Sequence, residues 1–155
     1  MNPAERAAYL KTQVIANFVI NAVLNGVIAF FLYQSKASVS LVEMAWDVEI
    51  TVAIISFFVA WIAIASLRKK MAGGFSPNAR RRPTRKLPHR AIIRALGIML
   101  LMMVIFGVLL VGGATLVSPE GFSNWEYMIL KTVYTGVCAA ISAQMAIQSV
   151  FSDRA

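Results

Sequence analysis

Four amide side chains recur along one apolar segment near the start of the chain, at Gln13, Asn17, Asn21 and Asn25. A spacing of four residues places them on one narrow face if the segment is helical. Each amide carries hydrogen-bond donors and an acceptor, and burying it in hydrocarbon without a partner is costly. The pattern therefore favours either a polar lining for a small solute or ion, or hydrogen-bonded packing against another helix.

Two more amides, Gln144 and Gln148, follow the same spacing in the last apolar segment. They are expected at the same depth as Gln13 and Asn17, because both pairs lie near the same membrane surface. We therefore include all six amides in one candidate polar lining. The competing interpretation is that such amides hold neighbouring helices together and line nothing.

Three charged residues, Asp47, Glu49 and Lys131, lie close to the ends of apolar segments and form a candidate outer mouth. An acid at such a depth is either an ion or proton contact or an interfacial charge. Lys131 is expected to extend towards the membrane surface or to pair with Asp47, Glu49 or Glu126. The sequence leaves these partners open.

Four apolar runs must position these groups, at about 13–33, 48–67, 95–117 and 127–150. Each run has about the ~20 residues that a helix needs to cross a ~30 Å hydrocarbon core. The chain is 59% apolar with a mean hydropathy of +0.69, more than a 155-residue soluble domain could bury. The runs are continuous and do not alternate, so helices are expected. The sequence predicts an all-α integral membrane protein, a four-transmembrane-helix bundle forming a single domain over 1–155.

Positive charge is concentrated in the link over 68–94, which holds ten of the fifteen Lys and Arg and no acid. Basic loops stay in the cytoplasm, so this link and both termini are predicted to be cytoplasmic. The other two links are mainly acidic and are predicted to face outwards. The expected location is the bacterial inner membrane, crossed several times.

The most basic part of that link contains Arg80, Arg81, Arg82, Arg85 and Lys86. These side chains are candidate contacts for the anionic headgroups of the lipid bilayer, although fixing the orientation alone would explain them. The stretch 79–94 has no Phe, Trp or Tyr on which bases could stack, and it is tethered at the membrane. We therefore expect no nucleic-acid partner.

Residues suited to catalysis or metal binding are scarce. The chain has one cysteine, Cys138, and one histidine, His89, and no histidine lies in an apolar run. An intramolecular disulfide, a cysteine-based metal site and a bis-histidine haem within one chain are thereby excluded, and a zinc site would lack its usual His and Cys ligands. We found no nucleotide-binding, metalloprotease or serine-hydrolase motif. The sequence predicts no cofactor, metal or catalytic residue, and an enzyme is the least favoured class.

Small residues recur in the second run (Ala53, Ser56, Ala60, Ala63) and in the fourth, where Thr135, Ala139, Ser142 and Ala146 share a face. Such seams allow close helix approach, and we expect them to join protomers. A faint repeat, Trp46-Asp47 and Trp125-Glu126, suggests a duplicated two-helix hairpin. Alternatively, tryptophan beside an acid is common at any membrane boundary.

The function that the sequence favours is a small oligomeric membrane transporter or channel for a small solute or ion, lined by the amide face. The alternative is a non-catalytic accessory or assembly subunit, whose polar face docks a partner membrane subunit. The sequence specifies neither the substrate nor the number of subunits. Water access separates the two hypotheses, because a lining face is wet and a docking face is dry.

Overall fold

The computed structural model of the chain describes residues 3–73 and 88–152. Its helices are α1 (Pro3–Tyr33), α2 (Leu41–Ala72), α3 (Pro88–Phe106), a π-helical turn (Gly107–Val111), α4 (Gly112–Val117) and α5 (Asn124–Ser152), and its short strands are β1 (Ser38–Val39) and β2 (Phe122–Ser123). Helix α3, the π-helical turn and α4 form one continuous third span. Four segments are long and apolar enough to cross a membrane. The prediction of an all-helical chain with four helices long and apolar enough to span a membrane is confirmed.

The helices are longer than the apolar runs, because hydropathy marks the hydrocarbon-embedded part and the helices continue into the interfaces. Helix α2 begins at Leu41, where Ser40 and Glu43 form a reciprocal capping box. It continues to Ala72, and the Gly73 N–H donates to the Lys69 carbonyl at 3.1 Å. Helix therefore covers both ends of the link predicted over 68–94. The predicted lipid-contact cluster from Arg80 to Lys86 lies outside the described residues.

The two loops that contain β1 and β2 are built alike. The nine-residue runs that start at Ser35 and Ser118 share the pattern Ser-x-x-x-(Val/Phe)-Ser-x-x-Glu, 83 positions apart. In the second run the Ser123 N–H donates to Glu126 Oε2 at 2.9 Å, which repeats the capping arrangement of the first. The two loops are joined by antiparallel pairing of β1 with β2, in which Val39 lies opposite Phe122.

Helices α2 and α5 pack against each other at the centre, α1 packs on α5, and the third span packs on α2. Ser56 and Ala60 of α2 and Thr135 and Ala139 of α5 are fully buried in this central contact. The small seams therefore serve packing within the chain. The expectation that they join protomers was wrong, since side chains already buried inside one protomer are not available to a second.

The third span contains a feature that the sequence did not reveal, the π-helical turn over Gly107–Val111. Such turns are rare inside helices and often lie at functional sites. At its first residue, Gly107, the carboxylate of Glu49 from α2 lies so close that a Cβ atom would collide with Oε1. A side chain at Gly107 would therefore displace the flexible end of Glu49, on the side of α2 that faces the third span.

Candidate functional site

A buried ion pair joins the two central helices near the end of the bundle that carries β1 and β2. Lys131 of α5 is only 2% exposed, and its Nζ lies 2.6 Å from both carboxylate oxygens of Asp47 in α2. The Asp47 side chain keeps 19% of its surface exposed. Removing two charges from water is costly, and the pairing offsets that cost only if further hydrogen bonds complete the site.

Three neighbouring side chains complete it. The Tyr127 hydroxyl donates a hydrogen bond to Asp47 Oδ2, and the Thr51 hydroxyl lies 3.5 Å from Oδ1. The ring of Tyr33, from α1, lies 5.6 Å from Lys131 Nζ in a cation–π contact. Tyr33 also meets Tyr127 edge to face, with ring centroids 5.0 Å apart. Helices α1, α2 and α5 therefore all contribute to this site, which we call the ion-pair cluster.

Replacement of Tyr127 by phenylalanine is expected to lower the free energy of unfolding by about 1.5–2 kcal/mol, because Asp47 loses one charge-assisted hydrogen bond. Unfolding in mixed detergent–SDS micelles measures this change. Tyr9→Phe is the matched control: the ring that Lys70 contacts at 5.0 Å remains, and we expect almost no change. Equal effects of the two substitutions would contradict the assigned role of the Tyr127 hydroxyl.

The four amides of α1 form a ladder along one face. The side-chain amide nitrogens of Asn17, Asn21 and Asn25 donate to the backbone carbonyls of Gln13, Asn17 and Asn21, at 2.8, 2.9 and 2.9 Å. Gln13, Asn17 and Asn21 are half-buried, and Asn25 is 8% exposed. Within 3–73 and 88–152 no group donates to their side-chain oxygens. The ladder thus satisfies a donor of each asparagine locally and leaves acceptor oxygens available at every turn.

The amide ladder leads to the ion-pair cluster. A Cβ atom at Gly26 would lie 2.9 Å from the Thr132 hydroxyl, and Tyr33 contacts Tyr127, so α1 and α5 run antiparallel in close register. Lys131 therefore lies between the levels of Gly26 and Tyr33, little more than a turn beyond Asn25. On the ladder face only Ala29 separates Asn25 from Tyr33. The result is a polar column along α1 that runs nearly the length of the span.

Other predicted site residues are placed elsewhere. Gln144 and Gln148 lie on the exposed side of α5, and no hydrogen bond joins them to α1 in the described part of the chain. Glu49 is two residues from Asp47, so the two side chains leave α2 in nearly opposite directions. The structure brings Asp47 and Lys131 together and places Glu49 apart from both, against Gly107.

Sequence reasoning missed Tyr33, Thr51 and Tyr127 as members of the ion-pair cluster. The sequence could have indicated two of them through their spacing from charged residues. Thr51 lies four residues after Asp47 and Tyr127 four residues before Lys131, so each shares a helix face with a charged residue. Tyr33 lies on the ladder face eight residues beyond Asn25. Residues at helical spacing from a membrane-embedded charge should therefore be considered with it.

Among residues 3–73 and 88–152, no group of three or more His, Cys, Asp and Glu side chains is placed to hold a metal ion. Comparison of the chain with protein-family models, with curated proteins and with solved structures gave no match. The basis for a functional assignment is thus the arrangement of the chain's own polar groups, the amide ladder and the ion-pair cluster.

Proposed function

We propose that the chain is the protomer of a small oligomeric membrane transporter or channel for a small solute or ion. The amide ladder provides the path, and the Asp47–Lys131 pair closes its outer end. The observation that carries the proposal is that α1 bears an amide ladder from Gln13 to Asn25 and, two turns beyond Asn25 on the same face, Tyr33, whose ring contacts the buried Lys131 of α5. Charged groups inside a membrane are costly and typically mark ion or solute pathways.

The proposed location is the bacterial inner membrane, with both termini and the basic link in the cytoplasm. The end of the bundle that carries β1, β2 and the ion-pair cluster would then face outwards. Trp46 and Trp125, both exposed at this end, support a membrane boundary at their level, because tryptophan is enriched where hydrocarbon meets headgroups.

The oligomer requires a surface other than the central seams. Helix α1 supplies such a surface. Only 17% of the residues in its most apolar stretch are buried within the chain, and most residues of its amide ladder are half-buried. Half-exposed amides facing lipid would be unfavourable. We propose that a second copy of the chain, or a partner membrane subunit, covers this side of α1 and encloses the ladder.

We also propose that the chain arose by duplication of a two-helix hairpin. Val39 and Phe122, which face each other across the strand pair, are 83 positions apart, as are the capping residues of the two outer loops. The packing of α1 on α5 matches that of the third span on α2, as a two-fold axis along the membrane normal would require. Trp46 and Trp125 are 79 positions apart, whereas the capping residues are 83 apart. The two tryptophans and the capping residues therefore imply different alignments of the two hairpins.

A second candidate, the accessory or assembly subunit, is favoured by one observation. The asparagine side-chain nitrogens already donate to the preceding turn of α1, so part of the ladder's polarity is satisfied without water. A dry ladder of this kind could dock a partner helix through its free acceptor oxygens. In that case the ion-pair cluster would stabilise the bundle and would not close a path.

Cysteine accessibility in intact membranes separates the two proposals. Cys138, which is buried, is first replaced by serine, and single cysteines are placed at Asn17, Asn21 and Asn25. For a water-filled path we expect a small charged thiol reagent to label Asn21→Cys and Asn25→Cys readily. Val23→Cys, at the same depth on the exposed apolar face, is the matched control and should stay unlabelled.

Labelling of the deep ladder positions no faster than Val23→Cys, in protein that remains folded, would contradict the transporter. It would favour the accessory subunit, whose ladder is dry. In that case the ion pair would have no aqueous path to close, and we would expect liposomes containing Lys131→Met to show no increase in solute flux.

A further inference from the structure

Glu49 borders an apolar crevice at the end of the bundle that carries β1 and β2, on the side of α2 that faces the third span, and its carboxylate lies beside the crevice against Gly107. The crevice has a volume of about 390 Å³ and opens laterally. Its walls are Leu41, Val42, Ala45, Trp46, Glu49 and Val111. Glu49 is the single charged side chain in this lining, and we refer to the space as the Glu49 crevice.

The Glu49 carboxylate has neither a hydrogen-bond donor nor a cation beside it among residues 3–73 and 88–152. Its position against Gly107 depends on two unusual features, the absence of a side chain at Gly107 and the π-helical turn that begins there. An ionised carboxylate in apolar surroundings is unfavourable unless it is paired. A positively charged group bound in the crevice would supply the partner that this half-buried carboxylate lacks.

A comparable crevice on the other side of the bundle is lined without a charged side chain. It lies between α1 and α5, has a volume of about 320 Å³, and is lined by Gly26, Phe30, Trp125, Met128, Ile129, Thr132 and Val133. Thr132, which contacts Gly26, is 83 positions after Glu49. The neutral hydroxyl satisfies itself by donating to the Met128 carbonyl at 2.8 Å. We call this space the Thr132 crevice.

We propose that the Glu49 crevice is a binding site for an amphiphilic organic cation, an ammonium group attached to an apolar tail. The carboxylate supplies the opposite charge, and the exposed Trp46 ring at the mouth provides a face for a cation–π contact. The apolar walls accept the tail, which continues into the surrounding lipid. Glu49 lies about one turn below Trp46, within reach of an ammonium head at the membrane boundary that Trp46 indicates.

This site is separate from the proposed path, because Glu49 and Asp47 leave α2 in nearly opposite directions. Binding at the Glu49 crevice does not depend on whether the amide ladder conducts a solute. The proposal can therefore be tested by ligand binding alone, on the full chain in uncharged micelles.

Tryptophan fluorescence provides the test, since each crevice has its own tryptophan. Replacing Trp61 and Trp125 by phenylalanine leaves Trp46 as the reporter of the Glu49 crevice, and replacing Trp46 and Trp61 leaves Trp125 for the Thr132 crevice. Dodecylpyridinium serves as a cationic quencher, and an uncharged nitroxide with a dodecyl chain serves as its neutral counterpart. The full chain is studied in maltoside micelles, which contribute no competing ammonium group.

We expect dodecylpyridinium to quench Trp46 at about tenfold lower concentration than Trp125, as one charge-assisted contact would give. The neutral quencher should not distinguish the two. Glu49→Gln should abolish the preference while leaving the Trp125 response unchanged, which also shows that the bundle is intact. Glu120→Gln, which removes the same charge from the exposed outer loop, should preserve the preference.

Three results would overturn the proposal. The first is equal quenching of Trp46 and Trp125 by the cation in the parent chain. The second is a preference that survives in Glu49→Gln, which would assign the attraction to another acid. The third is the same preference for the neutral quencher, which would show an apolar crevice that does not recognise charge.

Discussion

Replacement of Lys131 by methionine is expected to lower the free energy of unfolding by about 3–5 kcal/mol, the cost of leaving one member of a buried ion pair uncompensated. Methionine retains a flexible apolar chain of similar length, so the loss comes mainly from the charge. Asp47 would keep the Tyr127 and Thr51 hydroxyls as donors but would lose its cation at 2.6 Å. Asp47→Asn should lower the free energy of unfolding by a similar amount, because it leaves the Lys131 cation without its negative partner.

Equilibrium unfolding in mixed detergent–SDS micelles measures the loss. The matched control is Lys36→Met, because Lys36 pairs with Glu43 at 2.8 Å while both side chains remain largely exposed, at 40% and 48%. An exposed pair of this kind contributes about 1 kcal/mol or less. A Lys131→Met loss no larger than that of Lys36→Met would show that the buried pair is not a stabilising contact.

The double variant Asp47→Asn with Lys131→Met removes both charges together. We expect it to be more stable than either single variant, since no uncompensated charge remains in the apolar interior. The same variant informs the functional proposal. If the pair closes the outer end of a path, solute flux should rise in the double variant even though much of the stability is regained.

The membrane spans were predictable because lipid imposes a strong and simple constraint, about twenty apolar residues per helix. Their ends were less predictable, since capping by Ser40 and Glu43 and by Ser123 and Glu126 extends α2 and α5 beyond the hydrocarbon. The amide ladder was also predictable, because the spacing of its four residues within one helix requires no knowledge of the neighbours.

Contacts between helices were not predictable in the same way. Lys131 had three candidate acids, Asp47, Glu49 and Glu126, and the choice depends on how α2 and α5 are rotated against each other. The sequence gives the depth of a residue but does not give that rotation. For the same reason Gln144 and Gln148 were expected to meet α1, whereas the structure places them on the exposed side of α5.

The π-helical turn at Gly107–Val111 could not be predicted from the sequence for a different reason. It lies in a plain apolar run without a proline, and no side chain in that run signals it. The turn becomes interpretable only with Glu49 in view, because the carboxylate occupies the space that a side chain at Gly107 would fill. The turn and the Glu49 contact begin at the same residue, and a tertiary contact of this kind has no local sequence pattern.

Replacement of Gly136 by leucine is expected to separate α1 from α5 and to lower the free energy of unfolding by about 3 kcal/mol, at the upper end of overpacking effects. A Cβ atom alone at Gly136 would lie 3.0 Å from the ring of Phe18 and 3.1 Å from Ala22. The remaining carbons of leucine have no space unless α1 moves. Because α1 has little other packing within the chain, displacement is the expected response.

Gly97→Leu in the third span is the matched control, since no atom lies within 4 Å of a Cβ atom at that position. It makes the same chemical change in a membrane-spanning helix, and we expect a loss below about 0.5 kcal/mol. Unfolding in SDS measures both variants, and thiol labelling of Asn25→Cys in the Gly136→Leu background reports the position of α1. Asn25 is 8% exposed in the parent chain, so a displaced α1 should change its labelling rate from the parent value, whether the ladder is wet or dry. If Gly136→Leu is as stable as Gly97→Leu and Asn25→Cys reacts at its parent rate, then the close contact of α1 with α5 is not what holds the amide ladder beside the ion-pair cluster.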